Sequence, residues 1–151
     1  MTISVAPLKL FVTHAWAEND DYIRIFEYLE ATGTFYYHNT SLPDAKRPID
    51  KESQREELRR QIGPCEVVIA LPAVYKASPE LALFQLNFAK SADRPIVMLE
   101  NFASSEALPK VFADLADEIT AWNERNLIDA LLRQGRHQET TRWDTVEFKI
   151  D

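Results

Sequence analysis

Side chains that could contact a small molecule follow each of the short apolar runs of the chain. Most of them are aromatic rings, amides, hydroxyls or carboxylates, and the set is His14, Trp16, Asn39, Ser41, Pro72, Tyr75, Glu100 and Asn101. Rings stack on flat groups, and amides and hydroxyls form hydrogen bonds, so these residue types suit a nucleotide or a sugar. A structural role competes at each position: Trp16 could cap the core, and Asn39 could hold the turn before Pro43.

Several other kinds of site do not fit the residues present. The 3 glycines of the chain cannot form the glycine-rich phosphate loop of a Rossmann fold or of a P-loop protein. The run "IALPAVY" has no aspartate to accept a phosphoryl group, and "THAWAEND" has no glycine for a flavin phosphate loop. His14, His38 and Cys65 are too scattered for a zinc site or a Cys–His nucleophile. No metal and no permanently bound cofactor are therefore expected.

Alternating strands and helices are needed to bring these polar residues together. Apolar, β-leaning runs predict strands at residues 8–16, 34–41, 65–73, 94–101 and 119–122. Helical spacing predicts helices at residues 20–33, 51–63, 78–90, 108–118 and 123–135. This pattern indicates an α/β domain with a parallel sheet and helices on both faces, in which ligands bind at the carboxyl ends of the strands.

Some boundaries of these elements can also be predicted. Gly33 is a candidate to cap the end of the first helix, and Asn123 or Asn126 to begin the last. The segment 137–150 has an alternating end that could add an edge strand or dock as a tail. The stretch "SPELALFQLNFAK" (residues 78–90) lacks a polar face. One side is expected to cover the sheet and the other to meet a neighbouring helix or a second subunit.

Composition limits the class of protein. With 151 residues, 46% of them hydrophobic and 27% charged, the chain is expected to form one globular domain. A net charge of −7 argues against nucleic-acid binding. No apolar run approaches the roughly 18 residues of a membrane span, and the N-terminus has no signal-peptide pattern. The single cysteine, Cys65, is predicted to be a buried thiol. Together these features predict a cytoplasmic protein.

The order of the motifs resembles a known family. "LFVTHAW", "DDYIRIFEYL", "FYYHNTSLP", "ELRRQIGPCEVVIALPAVY", an apolar helix and "RPIVMLE" are similar to bacterial TIR-like domains, most closely the TIR-like subunit of Thoeris antiphage defence systems. The similarity covers residues 8–102, and "ITAWNERNLIDALL" extends it more weakly. It implies one TIR-like domain over residues 1–151, with a core at 8–134 and a tail at 135–151.

The resemblance also implies a fold and an activity. TIR-like domains have a flavodoxin-like three-layer sandwich, with a five-stranded parallel sheet in the order 2-1-3-4-5. Many cleave NAD+ at the nicotinamide–ribose bond, and Thoeris members make a cyclic ADP-ribose isomer that activates an effector protein. The loop at residues 41–50 is expected to form part of the substrate pocket and of contacts between TIR domains. The expected substrate-binding residues are His14, Trp16, Asn39, Ser41, Tyr75 and Ser78.

One position departs from the family pattern. The family's catalytic glutamate, four residues after a tryptophan, corresponds to Gln85, and Leu81 stands at the tryptophan position. Glutamine can bind a hydroxyl but cannot stabilise positive charge or act as a base. Glu80, about 140° around the helix from Gln85, and Glu100 are the candidate substitutes.

Three hypotheses follow from this departure. The chain is a TIR-like binding and signalling module for NAD+ or an ADP-ribose-type nucleotide, or an NAD+ glycohydrolase or ADP-ribosyl cyclase that uses another carboxylate. A third alternative is an enzyme resembling nucleoside deoxyribosyltransferases.

Overall fold

The central sheet has five parallel strands in the order β2-β1-β3-β4-β5. The computed structural model describes residues 6–137 of the chain. The strands are β1 Leu8–Val12, β2 Tyr37–Asn39, β3 Val67–Ala70, β4 Ile96–Leu99 and β5 Glu118–Thr120. The helices are α1 Asp20–Glu30, α2 Lys51–Ile62, α3 Pro72–Ala77, α4 Pro79–Ser91, α5 Lys110–Ala113 and α6 Glu124–Arg136. This confirms the predicted α/β, flavodoxin-like sandwich.

Two apolar layers form because neighbouring strand residues point to opposite faces of the sheet. Leu10 and Val12 of β1 pack with the buried residues of α1 and α6, whereas Phe11 between them packs with α2 and α4. All four residues of β3 are buried, and so are all four of β4. A strand covered on both faces reads as a continuous apolar run, which explains "VVIA" and "IVML".

Polar side chains fix where the helices begin. The Asn19, Asp50 and Asn123 side chains each accept a hydrogen bond from a backbone N–H in the first turn of α1, α2 and α6. Of the two predicted caps of the last helix, Asn123 is the one used. Helix α1 ends at Glu30 with Ala31 as its cap, and Gly33 lies in the turn that follows, with φ of 71°. The prediction of Gly33 as the cap was therefore two residues late.

The helix α3 was not predicted, and the third strand is shorter than expected. Pro72 has no N–H to donate to a strand ladder, and Leu71 before it is extended, as residues before proline usually are. Pro72 instead begins α3. Ser78 separates α3 from α4 and is not helical, and Pro79 begins α4. The predicted tail at residues 137–150 lies outside the described residues, apart from His137.

Neighbouring helices partly cover helix α4, which has few polar residues. The side of the helix that faces the sheet is fully buried and carries Ala82, Gln85, Leu86 and Ala89. The helix also contacts α2 and α3. Within residues 6–137 no helix is both long enough and apolar enough to cross a membrane.

Candidate functional site

The amide of Gln85 is fully occupied by hydrogen bonds inside the protein. The residue has 0% of its surface exposed. Its Oε1 accepts a hydrogen bond from the His14 backbone N–H at 3.1 Å. Its Nε2 donates to the backbone oxygens of His14 at 2.8 Å and Leu81 at 3.0 Å. His14 lies just beyond the end of β1 at Val12, and the Gln85 amide bonds both its N–H and its carbonyl oxygen, as a neighbouring strand would. This amide therefore joins the end of β1 to α4.

His14 continues this network from β1 to α2. Its Nδ1 accepts a hydrogen bond from the Trp16 backbone N–H at 3.1 Å. A neutral ring that accepts at Nδ1 carries its proton on Nε2, which lies 2.9 Å from the acceptor Oε1 of Gln61. The same Gln61 oxygen accepts from the Leu42 backbone N–H at 2.9 Å. His14 therefore links the end of β1 to α2 and to the loop after β2.

The buried position of His14 predicts a pH-dependent stability. Burial lowers the pKa of His14, while the hydrogen bond to Gln61 and the charge of Glu57 act in the opposite direction. The folded chain therefore binds fewer protons here than the unfolded chain, whose histidine pKa is about 6.5. We expect this contribution to stability to be complete above about pH 6.5. Below that pH it should fall by up to about 1.4 kcal/mol per pH unit.

Urea unfolding between pH 8 and pH 5 measures this effect. The native chain should lose stability more steeply than His14→Phe, which has no titrating ring. His38→Phe is the matched control, because His38 is exposed, and it should keep the native slope. Equal slopes for the native chain and His14→Phe would contradict the prediction.

Trp16 is the predicted ligand residue with an unused donor. Its backbone has φ of 65°, an uncommon conformation for a bulky residue. Its indole Nε1 is buried and has no hydrogen-bond partner within residues 6–137. The ring stands edge-on to His14, with 5.1 Å between ring centroids. Residues with such strained backbone conformations cluster at functional sites. Trp16 therefore remains a candidate ligand-binding residue.

Asn39 and Ser41 form a closed ring of hydrogen bonds with Tyr22. Asn39 Nδ2 donates to Tyr22 Oη at 3.0 Å, and Ser41 Oγ donates to Asn39 Oδ1 at 2.5 Å. The Tyr22 hydroxyl is then left to donate to Ser41 Oγ at 2.8 Å. These groups hold the start of the loop after β2 against α1. Asn39 therefore has a structural role in the turn after β2, as considered above.

The two carboxylates predicted as substitutes lie in different places. Glu100 is exposed and lines a separate groove of about 410 Å³ beside β5. Glu80 and Ser78 line a cleft between the loop after β2 and helix α4. The Tyr75 ring packs on Phe112, with 4.9 Å between centroids. The predicted site residues therefore divide among a buried network, two clefts and the core.

The cleft that contains Ser78 and Glu80 also gathers residues that the sequence did not single out. We call it the α2–α4 cleft. It has a volume of about 260 Å³ and is lined by Arg47, Ile49, Lys51, Gln54, Arg55, Ser78, Glu80, Leu81 and Phe84. Gln54 Nε2 donates to the Pro48 backbone oxygen at 2.8 Å and fixes the end of the loop. Lys51 Nζ lies 3.3 Å from Glu80 Oε1.

Cys65 is buried, as predicted, and it does not fit a nucleophilic role. Burial raises the pKa of Cys65 to about 12, so the thiol stays protonated at neutral pH. In the part of the chain that the structure describes, no group of three or more histidine, cysteine or acidic side chains could hold a metal ion.

Comparison of the sequence with models of protein families gives no match. Comparison with curated proteins also gives no significant match.

Proposed function

We propose that this chain is a TIR-like signalling domain that binds NAD+ or an ADP-ribose-type nucleotide without cleaving NAD+ efficiently. The observation that carries the proposal is the burial and hydrogen bonding of Gln85, which stands at the position where the resemblance expects a catalytic glutamate. It is a neutral amide, fully buried, with both of its N–H groups donated to backbone oxygens. The sheet order agrees with the resemblance, and Arg47 and Ile49 of the loop that the resemblance expects at the substrate pocket line the α2–α4 cleft.

The chemistry of the expected reaction explains why Gln85 matters. When nicotinamide leaves NAD+, positive charge develops on the ribose, and a carboxylate nearby stabilises it. An amide carries no charge, and loss of a well-placed catalytic group typically costs about 10²–10⁴-fold in rate. A domain with this change is suited to binding a nucleotide and passing the signal on. The setting we propose is a Thoeris-type antiphage system, with an effector protein downstream.

Self-association is the second part of the proposal. The loop after β2 exposes two large apolar side chains, with Leu42 53% and Ile49 97% exposed. Ile49 also lines the α2–α4 cleft. A second TIR-like domain that covered this loop would bury both side chains and close the cleft from outside.

Glu80 favours one alternative, an active NAD+ glycohydrolase or ADP-ribosyl cyclase. Its carboxylate lies in the α2–α4 cleft, where it can meet a ribose. It is also paired with Lys51 and exposed. Water and a neighbouring cation both weaken its ability to stabilise a developing positive charge. Glu100 lines the other groove and does not face this cleft.

Nicotinamide release from NAD+ separates the two functions. Purified, concentrated protein should bind NAD+ by calorimetry and release nicotinamide at least about 10²-fold more slowly than an active TIR domain measured in parallel. Fast release by the native chain, abolished in Glu80→Gln but kept in Glu100→Gln, would establish the enzyme instead. Failure of the native chain to bind either NAD+ or ADP-ribose would contradict the proposed function.

A further inference from the structure

The α2–α4 cleft is cationic on a protein that is acidic overall. The chain carries a net charge of −7. The residues that line the cleft nevertheless include three cations, Arg47, Lys51 and Arg55, against one carboxylate, Glu80. A concave site with an excess of one sign of charge concentrates ligands of the opposite sign. The cleft therefore selects for an anion.

The three cations differ in how they are held. Arg47 makes no ion pair within residues 6–137, and it precedes Pro48, whose backbone oxygen is bound by Gln54. Among the same described residues, Lys51 is paired only with Glu80, in a contact open to water. Arg55 is paired with Glu52, with 4.0 Å between Nη1 and Oε1, and its guanidinium carbon lies 5.7 Å from the centroid of the Phe84 ring. Arg47 and Lys51 are thus available to an incoming anion, and Arg55 forms part of the wall.

The backbone at this place favours negative charge as well. Helix α4 has 13 residues and begins at the cleft, and its capping residue Ser78 makes no side-chain hydrogen bond to the first turn. Pro79 has no N–H, but the other N–H groups of that turn carry partial positive charge and stabilise anions, and Glu80 already places one carboxylate in the turn. With about 260 Å³, the cleft is smaller than the usual range for a whole ligand. It fits the phosphate-bearing part of a nucleotide.

We propose that the α2–α4 cleft binds the phosphate groups of an ADP-ribose-type nucleotide through Arg47 and Lys51. This inference rests on the proposed function for the identity of the nucleotide. On binding, Lys51 exchanges the carboxylate of Glu80 for phosphate oxygens. Arg47 brings the planar guanidinium that binds two phosphate oxygens at once. The adenine base extends beyond the cleft, which is too small for the whole nucleotide.

Calorimetric titration of the full chain with three probes tests the proposal. Inorganic pyrophosphate and ADP-ribose should both bind, whereas adenosine, which has no phosphate, should bind at least tenfold more weakly than ADP-ribose. Arg47→Ala and Lys51→Ala should each lower the affinity for both phosphate probes tenfold or more. Lys46→Ala is the matched control. It removes the same charge from the adjacent exposed position, outside the cleft, and should change affinity less than twofold.

The possible outcomes distinguish this inference from the proposed function. Absence of pyrophosphate binding, or an equal loss in Lys46→Ala and Arg47→Ala, overturns the phosphate site. Native-level NAD+ binding by Arg47→Ala overturns it too and leaves the proposed function standing. Pyrophosphate binding that depends on Arg47, without binding of ADP-ribose or NAD+, supports the anion site and contradicts the proposed function. All three variants alter exposed side chains, so their thermal unfolding should match the native chain.

Discussion

Gln85→Glu is expected to lower the free energy of unfolding by about 3–5 kcal/mol at pH 7, the range for a buried charge without a partner. Glutamate has nearly the same shape as glutamine but no N–H groups. The backbone oxygens of His14 and Leu81, which lie 2.8 and 3.0 Å from Gln85 Nε2, would then face a carboxylate oxygen instead of a donor. Urea unfolding of the two proteins measures the loss.

Two comparisons make this prediction specific. Asn87→Asp adds the same charge to the same helix at an exposed position and should change stability by less than about 0.5 kcal/mol. Burial without donors would also raise the pKa of the new carboxyl group. The loss for Gln85→Glu should therefore shrink as the pH falls toward the unfolded value of about 4.3. Native stability for Gln85→Glu at pH 7 would mean that this side chain reaches solvent.

This expectation changes how a rescue of catalysis at Gln85 should be interpreted. The resemblance to TIR-like domains predicts a catalytic glutamate at the position of Gln85. In the structure the amide holds the end of β1 and α4 together through His14. Glutamate at this position would therefore cost stability, whether or not it could support chemistry. Absence of activity in Gln85→Glu is informative only if unfolding measurements show that the variant is folded.

The fold could be predicted because it rests on local patterns. The apolar runs of β3 and β4 and the helical spacing of Tyr22, Ile25 and Leu29 depend on neighbours within a few residues. The same applies to Asn123, whose side chain caps a backbone N–H three residues away. The unpredicted helix α3 shows the limit of such patterns. Pro72 is compatible with both a strand end and a helix start, and only the packing decides between them.

The site could not be predicted to the same extent because its hydrogen bonds join distant parts of the chain. Gln85 and His14 are 71 residues apart, and His14 and Gln61 are 47 apart. Gln61 ends the run "REELRRQ", whose mixed acids and bases at helical spacing are typical of a solvated helix face, yet the residue is buried. Gln54 is likewise buried and fixes the loop after β2. A polar residue on a charged helix gives no local sign of such a partner.

The second large effect is expected within the same helix, at Leu86 rather than at its aromatic residues. Leu86 is fully buried, so Leu86→Ala should cost about 2–5 kcal/mol. Phe84 and Phe88 are only half-buried and stack on each other. Truncation of either ring should therefore cost less than the roughly 3–5 kcal/mol of a fully buried phenylalanine, and we expect about 1–2.

Protein concentration separates packing within one chain from packing between chains. Leu86→Ala should lower the unfolding midpoint equally at low and high protein concentration, because Leu86 packs inside the domain. If the half-buried rings belong to a contact between subunits, the loss of stability caused by Phe88→Ala should grow with protein concentration. The reason is that association would stabilise the unmutated protein and not the variant. A loss that does not change with concentration assigns this side of α4 to packing against α2 and α3. A larger loss for Phe88→Ala than for Leu86→Ala in dilute solution would contradict the burial of α4.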